Sequence, residues 1–327
     1  MYTCLLDAYK CFDKINHWTL FRKLLAKGVP NLYIRILVYW YRSQMFCVKW
    51  GDISSTFFNV TNGVRQGSIL SPYLFAVYVD DLSEILNSCN VGTYMNNQPM
   101  NHIFYADDLC LVAPSPSGLQ SLLNICCDYA KLNDITYNSR KSMCMMFKPA
   151  RYRLLRPDIT LDGSVMEYCE SGKYLGVMLN VDCKDDDDIQ KHLRSFYARS
   201  NTIMRKFYKC STDVKLSLFQ CFCLPSYCVH LWFRFTKAKY RKLCVAFNNV
   251  YRRILGFRLY DSASFMYANY NIDNFDTFVR KLIYNFMNRL YTVNNNIVQS
   301  VLHVCRFIPG GLWQHWMNSL YTNNPTS

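Results

Sequence analysis

Residues 103–113, IFYADDLCLVA, set two adjacent aspartates between two short apolar runs. Each run has the length and composition of a strand, so the stretch predicts a hairpin with Asp107 and Asp108 at its tip. This constrains the fold, because the flanking runs must enter a buried sheet while the carboxylates stay at an end of it. A similar apolar run, residues 3–6, stops at Asp7. Neighbouring ionised carboxylates repel one another and are usually held together by a cation. Hard oxygen ligands with open coordination positions suit Mg²⁺ or Mn²⁺ sharing substrate phosphates. For an isolated Asp-Asp dipeptide, a polar turn is the plainer reading.

The surrounding pattern mixes short strands with amphipathic helices. Trp18, Phe21, Leu24 and Leu25 fall at helical spacing after Asn16 as an N-cap, with Gly28 and Pro30 as the stop. Leu32, Ile34, Leu37, Val38 and Tyr41 predict a second helix over 31–42. Residues 46–50 and 53–60 suit strands around Gly51-Asp52. Ser71-Pro72 opens a helix carrying Leu74, Tyr78, Leu82, Ile85 and Leu86 on one face. Another helix is predicted over 119–132, a strand over 143–147 and a hairpin turn at Asp162-Gly163. The order predicts an α+β fold, an antiparallel sheet with helices on one face.

After Asn180 the pattern turns helical. Asp185, Asp186, Asp187 and Asp188 precede a helix to about residue 208; four aspartates could chelate a cation, but at a first turn their charges complement the macrodipole, which is the plainer reading. Cys221, Cys223, Cys228 and His230 lack the spacing of a zinc site and are expected as core residues. At 51% hydrophobic over 327 residues, the chain can fill a large core, which excludes a disordered tail or a small disulfide scaffold. No run reaches roughly 18 apolar residues and no export signal opens the chain. The sixteen cysteines are therefore expected as reduced thiols in an intracellular protein that spans no membrane.

Charge is regional. Residues 189–260 hold fifteen Lys and Arg against one acid, Asp213, which accounts for the whole formal net charge of +14. With aromatics interleaved, such a stretch suits a polyanion, because each neutralised phosphate releases condensed counterions.

Five segments stand in order: LLDAYKCFDKINH (5–17), NGVRQGSILSPYLFAVYVDDL (62–82), FYADDLCLV (104–112), YNSRKSMCMMF (137–147) and KYLGVML (173–179). Together they resemble the palm motifs of reverse transcriptases, specifically those of non-LTR (LINE-type) retrotransposons. The resemblance covers residues 5–179 and extends more weakly to 257, where FQCFCLPSYCVHLW and YRRILGF look like the family's thumb. GVRQGSILSP is the most specific of these segments, whereas YADD alone would be weak.

The resemblance implies a right-hand polymerase palm over residues 1–180, a basic helical thumb over 181–260 and a helical extension of unassigned role over 261–327. It implies RNA-directed DNA polymerase activity, with an RNA template, a DNA primer and dNTPs as partners and Mg²⁺ or Mn²⁺ as cofactor. Asp7, Asp107 and Asp108 would hold the metals, and Lys141 would protonate the leaving pyrophosphate. Gly63, Arg65, Gln66 and Gly67 would form the loop that contacts the nascent base pair and template, Phe12 would lie under the incoming sugar, and Ala8 would also bind substrate. Tyr174, Leu175 and Gly176 would form the primer grip. Lys191, Arg194, Arg205, Lys206, Lys209, Lys237, Lys239, Arg241, Lys242, Arg252 and Arg253 would track the duplex phosphates. Only six residues precede Asp7, so the family's fingers region and endonuclease are expected to be missing. The competing expectation is accordingly a truncated, inactive remnant that binds RNA or DNA through its basic helices. A nucleotidyl cyclase of palm fold is disfavoured, because no Gly-Gly-[Asp/Glu]-Glu-Phe hairpin occurs.

Overall fold

A computed structural model describes residues 1–147 and 156–321, in two compact units, 1–170 and 171–327. The last six residues of the expected C-terminal extension lie outside the described residues.

The first unit is built on a four-stranded antiparallel sheet. Its strands are β1 (Tyr2–Asp7), β2 (His102–Tyr105), β3 (Asp108–Ala113) and β4 (Met143–Met146), in spatial order β4-β1-β3-β2. Between β1 and β2 run a single helical turn, Cys11–Lys14, and three longer helices, α1 (His17–Ala26), α2 (Asn31–Arg42) and α3 (Ser71–Ser88), and α4 (Pro116–Leu132) joins β3 to β4. Alternate strand residues share a face. Tyr2, Cys4 and Leu6 thus join Leu109, Leu111, Ala113, Cys144 and Met146 in one core, closed by Leu82 and Leu86 of α3 and by Leu119, Leu122 and Cys126 of α4. The first turns of α3 supply Leu74, Phe75, Tyr78 and Val79 to a second core with Leu20, Phe21 and Leu24 of α1 and Ile34 and Tyr41 of α2. The helix α3 is therefore the common spine of both cores.

Local chemistry explains most boundaries. The Asn16 side chain accepts hydrogen bonds from the Trp18 and Thr19 backbone N–H groups, satisfying two orphan donors of α1. Ser115 does the same for Gly118, with Pro116 as the first residue of α4. Around Gly51-Asp52 the expected strands pair in two short pieces, because the Ser55 hydroxyl takes the Val48 N–H. Two parts of the expected helical faces are corrected. Trp18 and Leu25 are exposed (62% and 48%), and the α1 face that packs carries His17, Leu20, Phe21 and Leu24. This is the face that buries His17, whose ring nitrogen Nε2 meets the Gly63 carbonyl at 2.7 Å, a contact that burying Trp18 and Leu25 instead would forfeit. In α3, Ile85 is exposed and the packed positions are Leu74, Tyr78, Leu82 and Leu86.

The second unit opens with a hairpin, β5 (Ser171–Tyr174) and β6 (Val177–Asn180), followed by α5 (Asp186–Lys206), α6 (Thr212–Phe222), α7 (Lys237–Leu255), α8 (Ala263–Tyr270), α9 (Phe275–Thr292), α10 (Asn296–Cys305) and α11 (Leu312–Tyr321). Phe196, Phe219, Phe247, Tyr251 and Phe275 form its aromatic centre, with ring centroids 4.8 Å apart for Phe219 and Tyr251. Ile283 and Met287 of α9, Leu302 of α10 and Trp316 of α11 complete the same core. The helices after residue 260 thus share one core with those before it. The hairpin belongs to this unit because its backbone is bonded to α5.

All sixteen cysteines are free thiols. Cys4, Cys11, Cys110, Cys126, Cys144 and Cys223 are buried, but Cys221, expected in the core, is exposed on α6. Among the described residues no helix is long and apolar enough to cross a membrane.

Candidate active site

The sheet brings the acidic residues to one end. Asp7 is the last residue of β1 and pairs with Asp108, the first of β3, which also faces Tyr105 across the hairpin. The turn between β2 and β3 is Ala106-Asp107, and Ala106 holds a φ of +52°, a left-handed conformation uncommon outside glycine. Strain of this kind persists where surrounding structure over-determines it. Burial, then the nearby Asp107 charge, push the thiol of Cys11, in the single turn Cys11–Lys14 that follows Asp7, up to about 12. Partial desolvation, then the charges of Asp107 and Asp7, raise the Asp108 carboxyl above its ordinary range.

The Asn138–Lys141 loop closes on the same strand end. The Asn138 N–H donates to the Asp7 carbonyl at 2.8 Å, and the Ser142 hydroxyl accepts from the Asp7 N–H at 3.0 Å. Asn138 in turn accepts from the Lys141 and Ser142 N–H groups, so Lys141 stands exposed two turns of hydrogen bonding from Asp7. Ser142, buried and bonded to Asp7, escaped notice in the sequence; its position one residue after the Asn-x-x-Lys motif was the only available signal.

The GVRQG loop packs on the chain that follows Asp7. Val64 N–H donates to the Phe12 carbonyl and Gly63 N–H to the Ile15 carbonyl, both at 2.7 Å. Gly63 has a φ of +89°, and a Cβ there would stand 2.7 Å from the Asp13 backbone oxygen, so only glycine fits. Gln66 donates to Asp13 at 3.1 Å, and the Arg65 guanidinium lies over the Phe46 ring, 5.8 Å from its centre. Asp13, Phe46, Asn62, Gly63, Arg65 and Gln66 line an open cavity of about 490 Å³. Phe12 is half-buried and stacks on Phe75 of α3, with ring centres 4.5 Å apart. Asp13, unremarked in the sequence, is thus the partner that seats this loop.

The donor set is the chemical type that hard divalent cations prefer, and the mutual repulsion at Asp108 is what a bound cation would relieve. The side chains stand gathered but not closed into a ligand shell: among the described residues no three His, Cys, Asp or Glu groups converge closely enough to hold a metal ion. The second unit holds Tyr174, Leu175 and Gly176 at its hairpin turn. Of the basic residues, Arg194, Arg205, Lys206, Lys209, Lys237, Arg241, Lys242 and Arg253 are exposed. Lys191, Lys239 and Arg252 are half-buried and hydrogen-bonded within the unit, to Asp188, Gln190 and Asn249 respectively. An open groove of about 670 Å³ between α5 and α7 gathers Lys237, Arg241 and Lys242 around Leu193 and Tyr197.

Residues 1–179 match the family profile described as reverse transcriptase (RNA-dependent DNA polymerase), more than half of the chain. The chain belongs to the reverse transcriptase family. Among curated proteins it is 24% identical over 265 residues to the RNA-directed DNA polymerase from mobile element jockey of Drosophila funebris, covering 78% of this chain. It is 26% identical over 264 residues to the probable RNA-directed DNA polymerase from transposon X-element of Drosophila melanogaster, covering 77%. The chain spans 28% of the length of each of these relatives. Among solved structures, telomerase from Candida tropicalis, determined with a fragment of telomeric RNA, aligns with a TM-score of 0.47 at 13% identity, over 87% of this chain and 42% of that one.

Proposed function

We propose that this reverse transcriptase chain performs RNA-directed DNA synthesis as part of a LINE-like element, joining a dNTP to a primer 3′-hydroxyl on an RNA template. The observation that carries the reading is the Asp7–Asp108 pair in register across β1 and β3, with Asp107 in the adjoining turn, inside the segment that matches the family. Asp7, Asp107 and Asp108 would hold Mg²⁺ or Mn²⁺, which when bound would lower the pKa of the primer hydroxyl and neutralise charge on the triphosphate. The protein's share is positioning. Phe12, backed by Phe75, offers a ring face under the sugar, and the Ala8 backbone follows Asp7 beside it. Arg65 and Gln66, on the loop seated by Asp13, border the cavity that would receive the template base, and Gly67 follows them in the same loop. Lys141 would give a proton to the departing pyrophosphate. Tyr174, Leu175 and Gly176 would contact the primer, and the exposed bases of α5 and α7 would bind duplex phosphates without reading sequence. In this reading residues 1–180 act as palm and 181–260 as thumb.

The experiment is extension of a DNA primer on an RNA template with Mg²⁺ or Mn²⁺, beside the Asp107→Ala variant. Product from the parent chain that disappears in the variant is expected. Duplex binding that weakens with salt and gives no product would instead make the chain a binding remnant.

A further inference from the structure

The hairpin turn Leu175-Gly176 is held from two sides by side chains far along the chain. Both residues have positive φ, +45° and +82°, the geometry of a two-residue turn that normally selects Asn-Gly. Leucine in the first position is strained, so neighbouring structure must hold the turn closed. Tyr227 donates its hydroxyl proton to the Leu175 carbonyl at 2.5 Å, and its ring lies against Gly176, where a Cβ would meet Cε1 at 2.9 Å. The Lys191 ammonium donates to the Gly176 carbonyl and, at 2.6 Å, to Asp188 Oδ1.

Asp188 is the fixed point behind this clamp. It is 1% exposed, its Oδ1 also accepts from the Met178 N–H at 3.0 Å, and its Oδ2 accepts from the Trp232 indole N–H at 3.0 Å. Burial by itself would raise this carboxyl; the bonds from Lys191, Trp232 and the Met178 N–H outweigh it and keep the group below its ordinary range. One carboxylate thus ties β6, α5 and the residue after the 229–231 turn to a single place.

We infer that Lys191 and Tyr227 are positioning residues that clamp the Leu175-Gly176 turn, with Asp188 as their anchor, so that the turn meets a primer terminus in one conformation. This rests on the reading of that turn as a primer contact. It also moves Lys191 out of the phosphate-binding set, since its ammonium is already committed to the turn and to Asp188. A merely stabilising role would leave the placement of a bound primer unchanged, whereas a clamp sets it directly.

The test uses the full chain with a primer–template duplex carrying 2-aminopurine at the primer 3′ terminus. Tyr227→Phe removes one hydroxyl and no packing, and Lys191→Met removes the cation while keeping length, with Lys191→Arg as the conservative rescue. Expected are an altered terminal 2-aminopurine signal in Tyr227→Phe and Lys191→Met, a duplex Kd within about twofold of the parent, and return of the parent signal in Lys191→Arg. In primer extension kcat falls by up to about a hundredfold with KM for dNTP little changed, the loss that a misplacement of about 1 Å can cause. Gly176→Ala separates the two levels of the argument. A disturbed signal in Gly176→Ala with a parent-like signal in Tyr227→Phe and Lys191→Met overturns the clamp alone. A parent-like signal in Gly176→Ala, or no duplex binding by the parent chain, removes the primer-contact reading and the clamp with it.

Discussion

Asp7 and Asp108 are direct partners in the antiparallel ladder of β1 and β3, the final pair before the strands part. Like charges opposite one another on a sheet are destabilising, and the Asp108 carboxyl is raised by partial desolvation first, then by the charges of Asp107 and Asp7. Replacing one charge should therefore help the empty fold and harm its function. Asp108→Asn is expected to melt at higher temperature than the parent without divalent metal. Mg²⁺ should raise the parent's Tm and leave that of Asp108→Asn nearly unchanged, because a ligand stabilises only the state it binds. Thermal melts with and without Mg²⁺ check both; a variant that melts lower without metal would contradict the assignment of the pair.

Gly63 seats the loop that borders the cavity. Gly63→Ala forces a residue with a side chain to hold a φ of +89° and drives its Cβ into the Asp13 backbone, which cannot move aside as a flexible side chain could. The loss is expected at about 2 kcal/mol or more, measured by urea unfolding. Because the same displacement separates Gln66 from Asp13, primer extension should fall further than stability alone explains. Gly67→Ala, with no atom within 4 Å of its Cβ position, should cost less despite its own positive φ.

Much of this arrangement was legible in the residues, for identifiable reasons. The helix α2 begins and ends where its apolar spacing does, and the β2–β3 hairpin follows from two apolar runs flanking a turn. Both are signals carried within about a dozen residues. What escaped depends on partners distant in sequence. The face that α1 buries includes His17, whose partner Gly63 lies 46 residues away. The four aspartates at 185–188 read locally as a cation chelate or, more plainly, as macrodipole compensation, yet Asp185 accepts from the Phe233 and Arg234 N–H groups, Asp186 accepts from Thr236, and Asp188 is buried against Trp232. No local pattern announces a carboxylate that caps a segment some 45 residues onward. The acidic cluster was visible as three aspartates, but the bond that the Asp7 N–H gives to the Ser142 hydroxyl was not.

The groove between α5 and α7 sorts the basic residues into two kinds. Arg241 and Lys242 are exposed beside it, whereas Lys239 is bonded to Gln190. A side chain that neutralises a phosphate contributes about 0.7–0.9 to the slope of log K against log salt. Arg241→Ala and Lys242→Ala should each reduce that slope by roughly this amount and weaken binding to all duplexes alike. Lys239→Ala should leave the slope close to the parent's. Fluorescence anisotropy across a salt series measures it, and equal slopes for all three variants would refute the sorting.

Stability should also fall in mild acid, and the second unit shows why. His192 and His230 are both lowered from the usual value of 6.5, His192 by burial against the opposing pull of Asp188, His230 by burial and then by the Arg289 charge. In each case the unfolded chain takes up a proton more readily than the folded one. The stabilisation is therefore complete above pH 6.5 and is lost as pH falls from there towards the depressed folded values, by at most about 1.4 kcal/mol per pH unit for each histidine. His230 packs on Phe286 with ring centres 4.2 Å apart, so His230→Phe keeps an aromatic contact while deleting the proton. Its Tm should decline less between pH 7.5 and pH 5.5 than that of the parent chain. Parallel declines would mean that His230 does not titrate differently in the folded and unfolded states.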